Sequence, residues 1–96
     1  MTLHVAILEI HLHLPGVGSL KEKRSIVKSL LERIRQRFPV SAAEVDFLDQ
    51  WQQAELGFAM AGNQVPLLQR TLEQVVHFAE DDGRAVVADY RVEIIL

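Results

Sequence analysis

Sorted into apolar and polar positions, the chain begins with an alternation. Leu8, Ile10, Leu12 and Leu14 fall on one side of an extended segment, and Glu9, His11 and His13 fall on the other. A period of two marks a strand with one buried face. Upstream, Val5 and Ile7 make the segment apolar on both sides, which predicts a central strand over 3–14. Pro15-Gly16-Val17-Gly18 breaks it. The period then changes. From Ser19 to Phe38 the apolar residues Leu20, Ile26, Val27, Leu30, Leu31, Ile34 and Phe38 recur at three and four, which predicts one amphipathic helix with a buried stripe. Ser19-Leu20-Lys21-Glu22 has the form of a capping box, in which Ser19 accepts from the Glu22 amide and the Glu22 carboxylate reaches back. Pro39 disfavours helical backbone at Phe38 and ends the helix there.

A short, somewhat polar segment over 40–46 reads as an edge strand. A connection over 47–52 holds Asp49 and Trp51. The third strand, 54–61, sets Leu56, Phe58 and Met60 against Glu55, Gly57, Ala59 and Ala61. Asn63 is the expected cap of a second helix, with Pro66 tolerable in its first turn. Val65, Leu68, Leu72, Val75, Val76 and Ala79 form that helix's stripe, and Asp81-Asp82-Gly83 ends it. The fourth strand, 86–96, alternates Tyr90, Val92 and Ile94 against Asp89, Arg91 and Glu93. The order β-α-β-β-α-β, with right-handed crossovers, predicts an α+β, ferredoxin-like sandwich. The first and third strands would be central in a four-stranded antiparallel sheet. Both helices would cover one face, against the even-numbered residues, leaving the other face open or covered by a partner.

Composition adds limits. Ninety-six residues make one domain, 1–96, with a modest core. The absence of cysteine excludes a disulfide framework, a thiolate metal site and a cysteine nucleophile, and fits a reducing cytosol. The N-terminal stretch lacks a basic region and is interrupted by Glu9, His11 and His13, so it does not read as a signal peptide. No apolar stretch is long enough to cross a membrane. Net charge is −3, but unevenly spread. The 19–38 segment carries seven basic and two acidic residues, a net of +5, against three basic and eleven acidic elsewhere, a net of −8. The average charge argues against a nucleic-acid partner, and the asymmetry reopens that question for one face.

SLKEKR at 19–24, a helix ending in Arg37-Phe38, Val40-Ser41, AEVD at 43–46, Asp49, Trp51-Gln52, Ala54 and Leu56-Gly57 together resemble the YlxP-like family of small bacterial proteins, classed as a domain of unknown function. The likeness runs from the first strand to the second helix. It implies a ferredoxin-like fold, a cytoplasmic bacterial protein and a location among genes of translation and ribosome maturation. It implies no established activity. The family commonly has His-Gln before Asp49 and a basic residue after Trp51-Gln52; here Phe47, Leu48 and Gln53 stand there.

Several constellations can carry chemistry. Lys21, Arg24, Lys28 and Arg35 form a basic stripe beside the apolar one, with Lys23 and Arg37 near its ends. Such a stripe either neutralises phosphates or is a solvated face paired with Glu22 and Glu32. The open sheet face offers His11, His13, Gly57, Ala59 and Ala61, with Glu9, Glu55, Asp89 and Glu93 adding negative charge. It lacks the aromatic residues on which RNA-reading sheets of this topology stack bases. Its small residues, with Val5 and Ile7, suit packing against another chain. His11 and His13 point the same way and, with Glu9 or Glu55, form a possible metal-ligand set; the plainer reading is surface or interface histidines. Glu44, Asp46 and Asp49 are candidate acids for a cation or acid–base work, or partners of neighbouring cations. The loop at 15–19 has glycines but no arginine, so an acylphosphatase-type phosphate cradle is rejected. Trp51 is either packed with Phe47 and Leu48 or a partner contact.

The resulting expectation is a non-enzymatic cytoplasmic protein without cofactor or metal. It would contact ribosomal RNA or a ribosomal subunit through Lys21, Lys23, Arg24, Lys28 and Arg35. The alternative is a homodimer formed through Val5, Ile7, His11, His13, Ala59 and Trp51, with no nucleic-acid role. A membrane partner is not expected.

Overall fold

The computed structural model describes residues 2–96. Its elements are β1 (His4–His13), α1 (Leu20–Arg37), β2 (Ser41–Asp46), β3 (Gln53–Gly62), α2 (Val65–Glu80) and β4 (Val86–Ile94). The strands lie in the order β2-β3-β1-β4, and every neighbouring pair is antiparallel. This is the α+β, ferredoxin-like sandwich that the periodicities predict, with β1 and β3 central. Ala6, Leu8, Ile10 and Leu12 of β1 and Ala54, Leu56, Phe58 and Met60 of β3 are buried. They pack into one core with Val27, Leu30, Leu31 and Ile34 of α1 and Leu68, Leu72, Val75, Val76 and Ala79 of α2. Burying each large side chain among these contributes about 1.5–3 kcal/mol. Among the described residues no helix is long and apolar enough to cross a membrane.

The start of α1 is capped by Ser19, whose Oγ accepts from the Glu22 amide at 3.1 Å. The Glu22 carboxylate accepts from the Gly18 amide at 3.2 Å, one residue upstream of its expected partner. At the other end, the Phe38 amide closes on the Ile34 carbonyl at 2.9 Å. The second helix starts differently from the sequence-based expectation. Its cap is Gln64, not Asn63, and no side chain bonds there. Pro66 has no N–H to satisfy, so one orphan donor of that first turn never exists.

Tyr90 also departs from expectation. It pairs with Ile10, yet it lies on the outermost strand beside a register shift at His11/Leu12. Its side chain stays 47% exposed instead of entering the core. An edge position lets the phenol hydroxyl reach water, which a buried place would deny it. Val87, Val92 and Ile94 supply the core contacts of β4.

Beyond α2, the chain turns through Gly83, at φ +82°, where a side chain would be strained. Just before it, the Asp82 side chain is 2% exposed and forms a clasp. Arg84 binds its carboxylate with both Nε (3.0 Å) and Nη2 (2.8 Å), and Arg33 of α1 adds a third contact at Oδ1. The Arg84 hydrogen bonds first, and the Arg33 bond after them, hold the Asp82 carboxyl at a pKa of about 2, below its ordinary 3.8. The clasp ties the C-terminal part of α1 to the turn before β4.

Candidate functional site

The first turns of α1 present two kinds of cation. Lys23 is completely buried. Its register places it there: it precedes Val27 by four residues and Leu30 by seven, on the face that enters the core. Its Nζ donates to the Phe47 carbonyl at 2.8 Å and lies 2.5 Å from Glu44 Oε2. That Glu44 oxygen has no hydrogen bond of ordinary geometry, so the ammonium is its whole compensation. The assignment of Lys23 to a phosphate-binding face is therefore corrected. A side chain sealed from solvent and committed to Glu44 and Phe47 cannot meet a phosphate, and uncoupling it would strand a buried charge.

Phe47, which receives that bond, is at φ 58°, unusual for a bulky residue. Four contacts hold it. Its amide donates to Asp46 Oδ1 at 2.7 Å, its carbonyl accepts from Lys23 and from the Gln50 amide (3.0 Å), and its ring stands edge-on to His11, with centroids 5.2 Å apart. The connection 47–52 is then closed by Gln52. Its Nε2 donates to the Val17 carbonyl at 3.2 Å, and its own carbonyl accepts from the Leu14 amide at 2.9 Å. The expected packing of Trp51 with Phe47 and Leu48 does not form a closed cluster: Phe47 is half-buried, but Leu48 and Trp51 are 52% and 51% exposed.

Around this corner the remaining cations are exposed: Lys21, Arg24, Lys28 and Arg35 share one side of α1. Among the described residues no ion pair involves Lys21 or Lys28. Among the described residues the one carboxylate paired with Arg24 is that of Asp49, at 4.0 Å, and both groups are well solvated. Arg35 spends one N–H on the Ala42 carbonyl, and Arg37 stands over the Phe78 ring, 5.5 Å from its centroid. Glu32, also exposed, lies in the row between Lys28 and Arg35. The rise of an α-helix puts Lys21 and Lys28 about 10 Å apart along the axis and spreads the full row over about 21 Å.

The open sheet face is less acidic in effect than in composition. Glu9 is bound by Arg91 at 2.9 Å, and Glu55 by His11 at 3.2 Å. A shallow apolar depression of about 430 Å³ runs over Ile7, Ala43, Val45, Gly57 and Ala59. Val45 leans over Gly57, where an added Cβ would meet its Cγ1 at 3.0 Å. Val5, Ile7 and Ala59 are half-buried and His13 is exposed. The three candidate acids separate. Glu44 is taken by Lys23, Asp46 by the Phe47 amide, and Asp49 faces Arg24. A register shift between Glu44 and Asp46 breaks the shared face that simple alternation assigns them. No group of three or more His, Cys, Asp or Glu with metal-binding geometry occurs among the described residues.

The family model described as "Protein of unknown function (DUF503)" matches residues 5–92. The chain belongs to this family. A relative named "Uncharacterized protein YlxP", from Bacillus subtilis (strain 168), is 35% identical over 63 residues, covering 66% of this chain and 68% of that protein. Among solved structures, the "De novo designed protein Foldit4" superposes with a TM-score of 0.51 over 96% of this chain and 97% of that one, at 14% identity. That likeness speaks to the fold and not to a task. Within this DUF503 protein, the segments that carry the YlxP-like resemblance converge. SLKEKR supplies the Ser19 cap and Lys23, AEVD supplies Glu44, Asp49 approaches Arg24, and Gln52 closes on Val17. The resemblance motif is in large part the wiring of one corner.

Proposed function

We propose that this DUF503 protein is a non-enzymatic, cytoplasmic RNA-binding accessory factor of ribosome maturation or translation. Lys21, Arg24 and Lys28 contact phosphates, and Arg35 extends the row. The observation that carries this reading is the set of four exposed cations on one side of α1: among the described residues Lys21, Lys28 and Arg35 form no ion pair, and Arg24 is only loosely placed near Asp49. Cations already paired release no counterions, whereas solvated ones do so on meeting a polyanion. The translation setting implied by the YlxP-like resemblance favours RNA as that polyanion. Reversing Lys21, Arg24 and Lys28 to Glu together should abolish retention of ribosomal subunits and of structured ribosomal RNA at low salt. Unchanged retention by the triple variant would refute the proposal.

A second reading rests on a separate observation, the apolar depression beside Ile7 and Ala59. It makes the open sheet face a homodimer interface. Sedimentation should then show a dimer that Ala59→Glu or Val5→Asp converts to monomer, and a monomer at high concentration would count decisively against it.

A further inference from the structure

We infer that the 47–52 connection is a preformed platform on which Trp51 stacks an unpaired base of RNA while the phosphates follow the cations of α1. This rests on the RNA-binding reading above and names its ligand class: single-stranded RNA, or the unpaired loop of a folded one. Four observations converge. Trp51 is half exposed, with Leu48 equally exposed, although large aromatic side chains supply the most burial a small core can gain. The exposure does not come from a loose segment, because the loop is fastened at both ends, by Lys23 on the Phe47 carbonyl and by Gln52 on Val17 and Leu14. The left-handed Phe47 is retained by the Lys23 bond together with those to Asp46 and Gln50, and backbone strain of this kind collects at working sites. Finally, Asp49, two residues before Trp51, lies 4.0 Å from Arg24, which places the loop beside the cation row.

The sheet face, where proteins of this topology read RNA on aromatic residues, presents Val5, Ile7, Gly57 and Ala59 on its central strands, together with the acidic Glu9 and Glu55, an exposed His13 and a His11 ring already engaged by Glu55 and Phe47. Base stacking would therefore have moved to the loop. Stacking demands a free base face. Along its length a duplex keeps its bases stacked on one another and shows only their edges, leaving free faces at its two ends alone, so the indole discriminates against it.

Trp51 is the single tryptophan of the chain, so its emission reports this contact directly. The experiment titrates the full chain with an oligouridine and with a blunt RNA duplex of equal length, following indole emission and, separately, the anisotropy of a dye on the RNA. Saturable quenching by the oligouridine and little quenching by the duplex is the expected result. Trp51→Ala should weaken oligouridine binding by about tenfold, the size of one stacked base, and leave duplex binding within about twofold. Trp51→Phe should retain most of the affinity. Salt-dependent binding of both RNAs with unchanged emission, and no loss in Trp51→Ala, would overturn the stacking inference while leaving the cation row intact. Binding of neither RNA would overturn both. Loss of ribosome retention in Trp51→Ala with intact oligouridine affinity would assign the loop to a protein contact and also overturn the inference.

Discussion

The buried corner at the start of α1 and the solvated side of the same helix are built from the same residue types. Lys23 and Arg24 are consecutive, yet one is sealed between Glu44 and the Phe47 carbonyl and the other is 63% exposed, facing water and a distant Asp49. The difference is one of helical phase: a step of about 100° separates the core face from the solvent face. It determines what each charge can do. A buried ammonium is fixed by the penalty of leaving its partner uncompensated, so it organises the fold. A solvated one contributes almost nothing to stability and is free to meet a ligand. Charge within SLKEKR is therefore divided between architecture and solvated surface, residue by residue.

The sharpest way to break this contrast is to remove the buried cation. Lys23→Met should cost about 3–5 kcal/mol, because Glu44 would remain buried without its partner. Urea unfolding should show it as a large drop in midpoint, and adding Glu44→Leu should restore most of the loss. A Lys23→Met protein as stable as the parent would mean that water reaches Glu44 and that the corner is not sealed.

The clasp at Asp82 tests the same principle where a buried carboxylate meets two half-exposed guanidiniums. Its folded carboxyl titrates at about 2 instead of 3.8. Stabilisation from a depressed acid is fully present above the unfolded value and disappears as pH falls through the folded one. Between pH 5 and pH 2 the protein should lose about 1–2 kcal/mol on this account, discounted because water reaches the half-exposed Arg33 and Arg84. Asp82→Asn should lower stability at neutral pH and flatten the acid limb of a pH–urea series.

Ser19→Ala should cost about 1 kcal/mol, the usual worth of a helix cap, measurable as a lower melting temperature. The smallest stability effect belongs to the solvated row. Lys21, Arg24 and Lys28 reversed to Glu should each shift stability by no more than about 0.5 kcal/mol. The circular dichroism spectrum should not change. A large loss of stability would show that the row supports the fold and would erase its contrast with Lys23.

Much of this was readable from the residues, for identifiable reasons. The strict alternation from Leu8 to Leu14 and the three–four spacing in both helices are local signals, and the sheet and its burial follow them. The Ser19 cap and the stop at Phe38 are local too. The burial of Lys23 was also available, since it lies in phase with Val27, Leu30 and Ile34. Its charge drew it into the basic stripe, while its phase assigns it to the apolar one. Other features were not local. Asp82 reads as a helix stop, and only the tertiary approach of Arg33, forty-nine residues away, turns it into a clasp. The separation of Glu44 from Asp46 depends on a register shift, which alternation does not announce. Trp51 beside Phe47 and Leu48 looks like a packed cluster, and its exposure follows from the backbone of Phe47 and the tethers of the loop.

The most direct measurement is the salt dependence of RNA affinity for the parent protein and for the Lys21, Arg24 and Lys28 charge-reversal variant. Three phosphate contacts to a single strand should give the parent a slope of about −2 in log affinity against log salt. The variant should bind weakly at every salt concentration, with a slope near zero. Equal affinities and equal slopes for the two proteins would contradict the assignment of these solvated cations to RNA.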